Sequence, residues 1–167
     1  MTDLRHDGNY LVTWVPGGGA GGGIADLSAP TTTELAAGIQ LECRLTPTGL
    51  TREPSTEMID NSKLCSTFGS QIAGRTSYNL QIVAVREEGD TSGVEAALTQ
   101  YAEGYFVVRD DKPATQAYAA ADNVEVYPAQ VANVAKSTPA ANELQTITYT
   151  FANTDAPVLD AAVAAGA

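Results

Sequence analysis

Residues 75–110 change hydrophobic period twice in one short stretch, which restricts the architecture more than any other feature of the chain. The first part, RTSYNLQIVAVREE, alternates: Tyr78, Leu80, Ile82 and Ala84 leave one side, Ser77, Asn79 and Gln81 the other. Period-two alternation marks a half-buried strand, because successive side chains leave opposite faces of the pleat. Gly89 and Asp90 break the run. Val94, Ala97, Leu98 and Tyr101 then recur at helical spacing, with Thr91 or Ser92 placed as N-cap. Glu95 suits the positive end of the helix dipole and Gly104 is placed to stop the helix. Residues 105–109, YFVVR, return to a strand. One helix between two strands, in a chain otherwise strand-like, predicts a mainly β domain with that helix packed over a sheet or barrel end.

Four further strands are expected. YLVTWV at 10–15 is closed by Pro16. IQLECRL at 39–45 sets Ile39, Leu41, Cys43 and Leu45 on a dry side against Gln40, Glu42 and Arg44, which makes Cys43 a small buried hydrophobe. NVEVY at 123–127 continues past a bend into PAQVAN. LQTITYTF at 144–151 is the strongest signal, with Leu144, Thr146, Thr148 and Thr150 opposing Gln145, Ile147, Tyr149 and Phe151. Residues 29–38 suit one short helical turn capped by Thr32 or Thr33. The polar residues 1–9 read as an N-terminal arm, and the Ala/Val-rich residues 155–167 as a C-terminal arm, either frayed or laid along a neighbour.

Two segments fit no regular element. PGGGAGGG at 16–23 has too much backbone freedom for a helix or strand. A phosphate cradle is excluded there, because no Lys-Ser/Thr pair opens a helix behind it and Ile24-Ala25-Asp26-Leu27 follows instead. Residues 46–70 show no sustained period, two prolines and many hydroxyls. A connection that long without structure usually works by binding something. Its Met58, Ile59, Leu64, Cys65 and Phe68 are apolar groups that a solvated loop does not favour, and docking on another chain is the preferred reading.

At 167 residues the chain suits one domain with its own core, although much of the 44% hydrophobic fraction is alanine. The net charge of −11 is spread along the chain and includes no basic run, which argues against a protein built to grip nucleic acid. Only Cys43 and Cys65 are present, and the N-terminus shows no basic-then-apolar leader, so a reduced, cytosolic product is expected. No apolar run reaches membrane-spanning length. His6 is the single histidine and lies in the expected arm, a poor place for a general base, so no catalytic residue is assigned. No metal-ligand spacing and no cofactor motif occurs; Glu87, Glu88 and Asp90, like Asp110 and Asp111, read as solvated turn carboxylates, with a weak Ca²⁺ site as the alternative.

The chain resembles the major tail tube proteins of long-tailed (siphovirus-type) bacteriophages, particularly those infecting actinobacteria. The resemblance is carried, in order, by YLVTWV, APTTTELAAGIQL, GLTREPSTEMIDNSKLCSTFGSQIAGRTSYNLQI, GYFVVRD, VEVYP and PAANELQTITYTF, which span most of the length. The Gly-rich 16–23 connection departs from it. The resemblance implies a β-sandwich or small barrel with one helix against it. It further implies hexameric rings stacked into a tube, a β-lined channel that conducts double-stranded DNA without tight binding, contacts with a tape measure protein and tail-end proteins, and a place in the virion after synthesis in the host cytoplasm. On that reading residues 46–70 form an inter-subunit loop, with Met58, Ile59, Leu64 and Phe68 at the interface. Rows of uncharged polar side chains, Ser77, Asn79 and Gln81 with Thr146, Thr148 and Thr150, are the lumen-facing candidates. Two unit charges 10 Å apart in water repel by roughly 0.4 kcal/mol, so only the summed charge of a ring would disfavour DNA adsorption. A capsid decoration or adhesive β-domain of a virion, and a small hydrolase or sugar-binding domain, are the competing classes.

Overall fold

In the computed structural model, residues 8–17, 22–65, 67–138 and 140–166 are described; His6, most of the expected N-terminal arm and the middle of the Gly-rich connection lie outside them. The elements run β1 (Leu11–Pro16), α1 (Thr32–Ala36), β2 (Ile39–Gln40), a 3₁₀ turn (Glu42–Arg44), β3 (Leu45–Asp60), β4 (Gln71–Val85), α2 (Val94–Ala97), β5 (Glu103–Arg109), β6 (Asn123–Lys136), β7 (Thr146–Asn153) and β8 (Val158–Ala162). The strands form one antiparallel sheet in the order β2-β1-β5-β6-β7-β4-β3, with β8 added along β6. The architecture is therefore mainly β, as the alternation predicts. No helix among the described residues is long and apolar enough to cross a membrane.

The sheet is rolled. β1 and β7 are three strands apart, about 14 Å if the sheet were flat, yet the rings of Trp14 and Phe151 lie 5.5 Å apart, as do those of Phe106 and Phe151. The concave side encloses the main core, in which Val12, Trp14, Phe106, Tyr127, Ile147, Tyr149 and Phe151 meet Leu80, Ile82 and Ala84 of β4. Val94 and Leu98, on and just beyond α2, plug this core. Gly104 does not stop a helix but sits in β5, where a Cβ would come within 2.6 Å of the Trp14 indole. The close approach of that ring requires glycine.

A second, smaller core covers the opposite face, but only over β1, β5 and the first half of β6. There Val15, Val107, Val124 and Val126 pack against Ile24, Leu35, Ala161 and Val163. The C-terminal segment is thus neither frayed nor laid along a neighbour. β8 pairs with β6, and Ala164 N–H donates to the Pro30 carbonyl at 2.8 Å. Small apolar residues are what such a strap needs, since Ala161 and Val163 are buried.

Local chemistry explains the other departures. The helix expected from 91 onward shrinks to Val94–Ala97, because Gly93 is left-handed at its start and Tyr101 (φ 69) turns the chain after it. Asp90 rather than Thr91 or Ser92 caps it, accepting from Glu95 N–H at 3.0 Å and Ala96 N–H at 2.8 Å. Tyr101 is exposed. α1 is capped one residue earlier than expected, by a reciprocal Thr31–Glu34 box. The strand read over 39–45 ends at Gln40. Arg44 N–H turns back to the Leu41 carbonyl at 2.8 Å, while the Arg44 side chain reaches the Val85 carbonyl and Glu87. That turn breaks the alternation, and Cys43 is exposed rather than buried.

Beyond β5 the chain is held by charge. Arg109 and Asp122 are both completely buried and paired at 2.9 Å. Arg109 also donates to the carbonyls of Ala117 (3.1 Å) and Pro113 (3.0 Å), and stacks over Tyr118 at 5.2 Å. Asp122 accepts from Ala119 N–H at 3.0 Å and from Lys112. Burial opposes ionisation of Asp122, but the hydrogen bonds from Lys112, Ala119 and Arg109 outweigh it and hold its carboxyl below the usual value. Burial also pushes the Tyr118 hydroxyl up to about 12. Removing one member of such a pair leaves a buried, uncompensated charge. Asp122→Asn is therefore expected to lower stability by on the order of 3 kcal/mol near neutral pH. A carboxyl with a depressed folded pKa stabilises above its unfolded value and loses that contribution as pH falls through the folded one. Chemical denaturation should accordingly show the gap between wild type and variant closing as pH drops below 3.8.

Candidate assembly surface

The segment read from sequence as an irregular loop over 46–70 is mostly a strand. β3 runs through Asp60 and pairs with β4 from Leu45↔Ala84 out to Asp60↔Gln71, making one long β-hairpin. Pro54 is accommodated because β3 is an edge strand, where a missing N–H costs no ladder bond. β4 pairs with β7 only over residues 80–85, and Tyr78, whose carbonyl accepts from Asn153 Nδ2 and whose ring lies against Tyr127, is the last residue toward the tip to reach another strand among the described residues. Every residue from Glu53 to Asp60 is exposed, and so is every one from Gln71 to Ser77 except Gly74. The outer half of the hairpin is a two-stranded ribbon wet on both faces, which is marginal in isolation.

The neck of its tip is tied. Asn61 N–H donates to the Ser70 carbonyl at 3.1 Å, Ser62 N–H to Asp60 Oδ1 at 2.8 Å and Ser70 N–H to Ser62 Oγ at 2.9 Å. The Ser62 hydrogen bonds hold the Asp60 carboxyl below its usual value. On this arm stand Met58, Ile59, Leu64, Phe68 and Ile72, between half and fully exposed. None of the four candidate interface residues contributes to either core of its own chain.

At the hairpin's base, Arg52 is the fastening. It lies over the Tyr10 ring at 5.6 Å, pairs with Asp110 at 3.0 Å and also pairs with Glu125 of β6. Burial works against its charge, but the Asp110 hydrogen bond and the Glu125 carboxylate raise its pKa overall. Tyr127 donates to the same Glu125 at 2.9 Å, and its own pKa is raised by burial and that bond. Beside Arg52 opens a groove of about 530 Å³, floored by Tyr10, Val12, Leu45 and Leu50 and walled by Glu42 and Cys43. One Glu42 carboxylate oxygen is itself buried without a hydrogen-bond partner. Burial raises the Glu42 pKa.

The polar rows are brought together by register. Gln81 pairs with Thr150, Val83 with Thr148 and Val85 with Thr146, so Ser77, Asn79 and Gln81 share one face with Thr146, Thr148 and Thr150. β3 adds Thr51, Glu53 and Ser55 opposite Gln81, Asn79 and Ser77, and β6 adds Asn133 and Ala135 opposite Thr150 and Thr148. This face is the back of the main core, on the half of the sheet that the second core leaves uncovered. The basic residue of matching parity on β4, Arg75, stands out on the arm. The wet side expected of residues 39–45, Gln40, Glu42 and Arg44, is dispersed by the 3₁₀ turn. The Arg52 cluster and the groove escaped the sequence because their members come from separate elements.

Turn carboxylates have local employment. Glu87 pairs with Arg44 and accepts from Ser92 N–H, Asp90 caps α2, and Asp110 holds Arg52. Among the described residues no group of three or more His, Cys, Asp or Glu is placed to hold a metal.

Comparison with known proteins bears on this surface. No curated protein sequence matches the chain. Its fold is similar to a chain in the cryo-EM structure of the anti-feeding prophage (AFP) baseplate, 6-fold symmetrised, with a TM-score of 0.51 at 10% identity, covering 93% of this chain and 95% of that one. The family model described as "Phage tail tube protein" matches residues 1–166. With a match over that extent, the chain belongs to the phage tail tube protein family.

Proposed function

We propose that copies of this structural tail protein close into rings of six, that the rings stack into a tube, and that the tube conducts double-stranded DNA. The observation that carries this reading is the hairpin: beyond Tyr78 its outer half pairs with no other strand among the described residues, and it displays Met58, Ile59, Leu64 and Phe68 at the surface. Monomeric proteins rarely keep such groups together in water, and a partner surface removes them from it. Membership of the tail tube family and the fold shared with a chain in a six-fold symmetrised assembly support a ring of this symmetry. The tape measure and tail-end proteins would be its other partners, in a long-tailed virion.

The lumen would be lined by the polar face of β6, β7, β4 and β3. Hydroxyls and amides hydrate the wall without neutralising phosphates, and the net charge of −11 per copy repels the duplex. Basic side chains there would add salt-dependent affinity at each phosphate they reach.

Two outcomes follow. Ile59→Asp combined with Phe68→Asp should leave a subunit with unchanged thermal melting, because both sites are exposed, but electron microscopy should show no tubes. Unfolding of that double variant, or normal tubes, would contradict the interface; particles that bind only capsids would favour a decoration protein. Asn79→Lys with Thr148→Lys adds two cations per subunit at solvated positions. Tubes should form, while DNA delivery slows and becomes sensitive to salt; salt-independent delivery at the normal rate would place the lumen elsewhere.

A further inference from the structure

Strand pairing holds the hairpin from one side only. On the β4 side it is fixed by the pairing of residues 80–85 with β7 and by Asn153 Nδ2, which donates to the Tyr78 carbonyl at 2.8 Å. On the other side β3 is the edge of the sheet. Its register with β4 also slips between Leu45 and Leu50. A slip of that kind bends and twists a strand pair, so the direction of the ribbon beyond it is left to side chains.

Arg52 supplies the missing hold. It pairs in register with the buried Leu80, so its side chain leaves the sheet on the core side, over the Tyr10 ring. Nη1 reaches Glu125 on β6, while Nη2 reaches Asp110 at 3.0 Å and the Tyr10 hydroxyl at 3.4 Å. β3 and β6 stand three strands apart in the sheet, about 14 Å if it were flat, so the guanidinium ties the rolled edge back to the body. A planar fork engages two carboxylates at once, which a point-like ammonium does less well. Among the described residues Arg52 is the only cation paired with Asp110 or Glu125. Without it, two like charges converge on the hairpin root and repel.

We propose that Arg52 is a positioning residue: through Asp110 and Glu125 it latches the hairpin to the body of the free subunit, so that the direction of the arm is fixed before any second copy is met. The latch is made of the chain's own contacts and stands apart from the tube reading. Within that reading it matters because an arm already held in one direction loses less freedom when a subunit is added.

The chain's two cysteines test the latch directly. Cys43 lies near the root and Cys65 on the tip, and both are exposed. Leu50 and Asp60 are about ten residue steps apart along β3, roughly 33 Å at strand rise, so a label on the tip reports the swing of the whole arm. Full-length protein with a nitroxide on each cysteine is measured as the dilute free subunit by pulsed dipolar spectroscopy. The expected result is one narrow distance population in the unmodified chain, at least about twofold broader in Arg52→Gln and of intermediate width in Arg52→Lys, with unchanged circular dichroism spectra. Asp110→Asn combined with Glu125→Gln should broaden it too while Arg52 stays in place, which separates loss of the tie from any effect of residue 52 on folding. A distribution as broad in the unmodified chain as in Arg52→Gln, or equally narrow in all variants, would overturn the latch. Electron microscopy should show Arg52→Gln subunits nucleating tubes several-fold more slowly, and nucleation at the unmodified rate would overturn the part given to the latch in assembly. Absence of tubes from the unmodified chain would overturn the assembly reading, while the distances alone decide the latch.

Discussion

Arg109 and Asp122 cannot be buried singly, and much of the fold follows from their being buried together. Each alone would cost several kcal/mol in the interior. Paired, and fed by the carbonyls of Pro113 and Ala117 and by Lys112, they hold the 110–122 connection against the end of β5. That connection in turn positions the C-terminal strap: the Asp122 carbonyl accepts from Val163 N–H and the Val163 carbonyl from Ala121 N–H. Strap and connection together roof β1, β5 and the first half of β6.

The roof divides the sheet. Where it lies, strands are buried on both faces and read as near-continuous apolar runs, such as Leu11 to Val15, interrupted by the buried Thr13. Where it stops, the same sheet has a dry concave side and a wet back, and the strands alternate. The lumen candidates and the arm both belong to this unroofed half. The Arg52 cluster, drawing β3 toward β6, Tyr10 and Asp110, fastens the arm's root to the body. A rigid root is what allows an exposed arm to present its tip at a defined place.

The arm also shows why the family's task suits this architecture. A long ribbon with few contacts is costly for a lone molecule and useful in a polymer, where each copy supplies the surface its neighbour lacks.

The strands read over 10–15, 77–84, 105–109, 123–127 and 144–151 fall within or overlap observed strands, and they were legible because one face or both needed apolar side chains and period two follows from the pleat. The same alternation singled out the polar rows at 77–81 and 146–150, though only strand pairing placed them side by side. Met58, Ile59, Leu64 and Phe68 were read as groups that dock on another chain from an irregular loop; they stand exposed on a hairpin that was not expected. A strand wet on both faces has no period to read, and Pro47 and Pro54 argue against one until its edge position is known. Cys43 was misplaced for a related reason: the alternation over 39–45 is real in the sequence, yet the Arg44 bonds to Val85 and Glu87 favour a turn. The alanine-rich C-terminus carries no local signal either, since alanine suits strand, helix and loop alike; only the space left over β6 makes it β8. What the sequence by itself determined was which residues avoid water and at what period. Which of them meet, and which stay exposed, depended on how the sheet rolls, and that is decided by contacts between residues far apart in the chain.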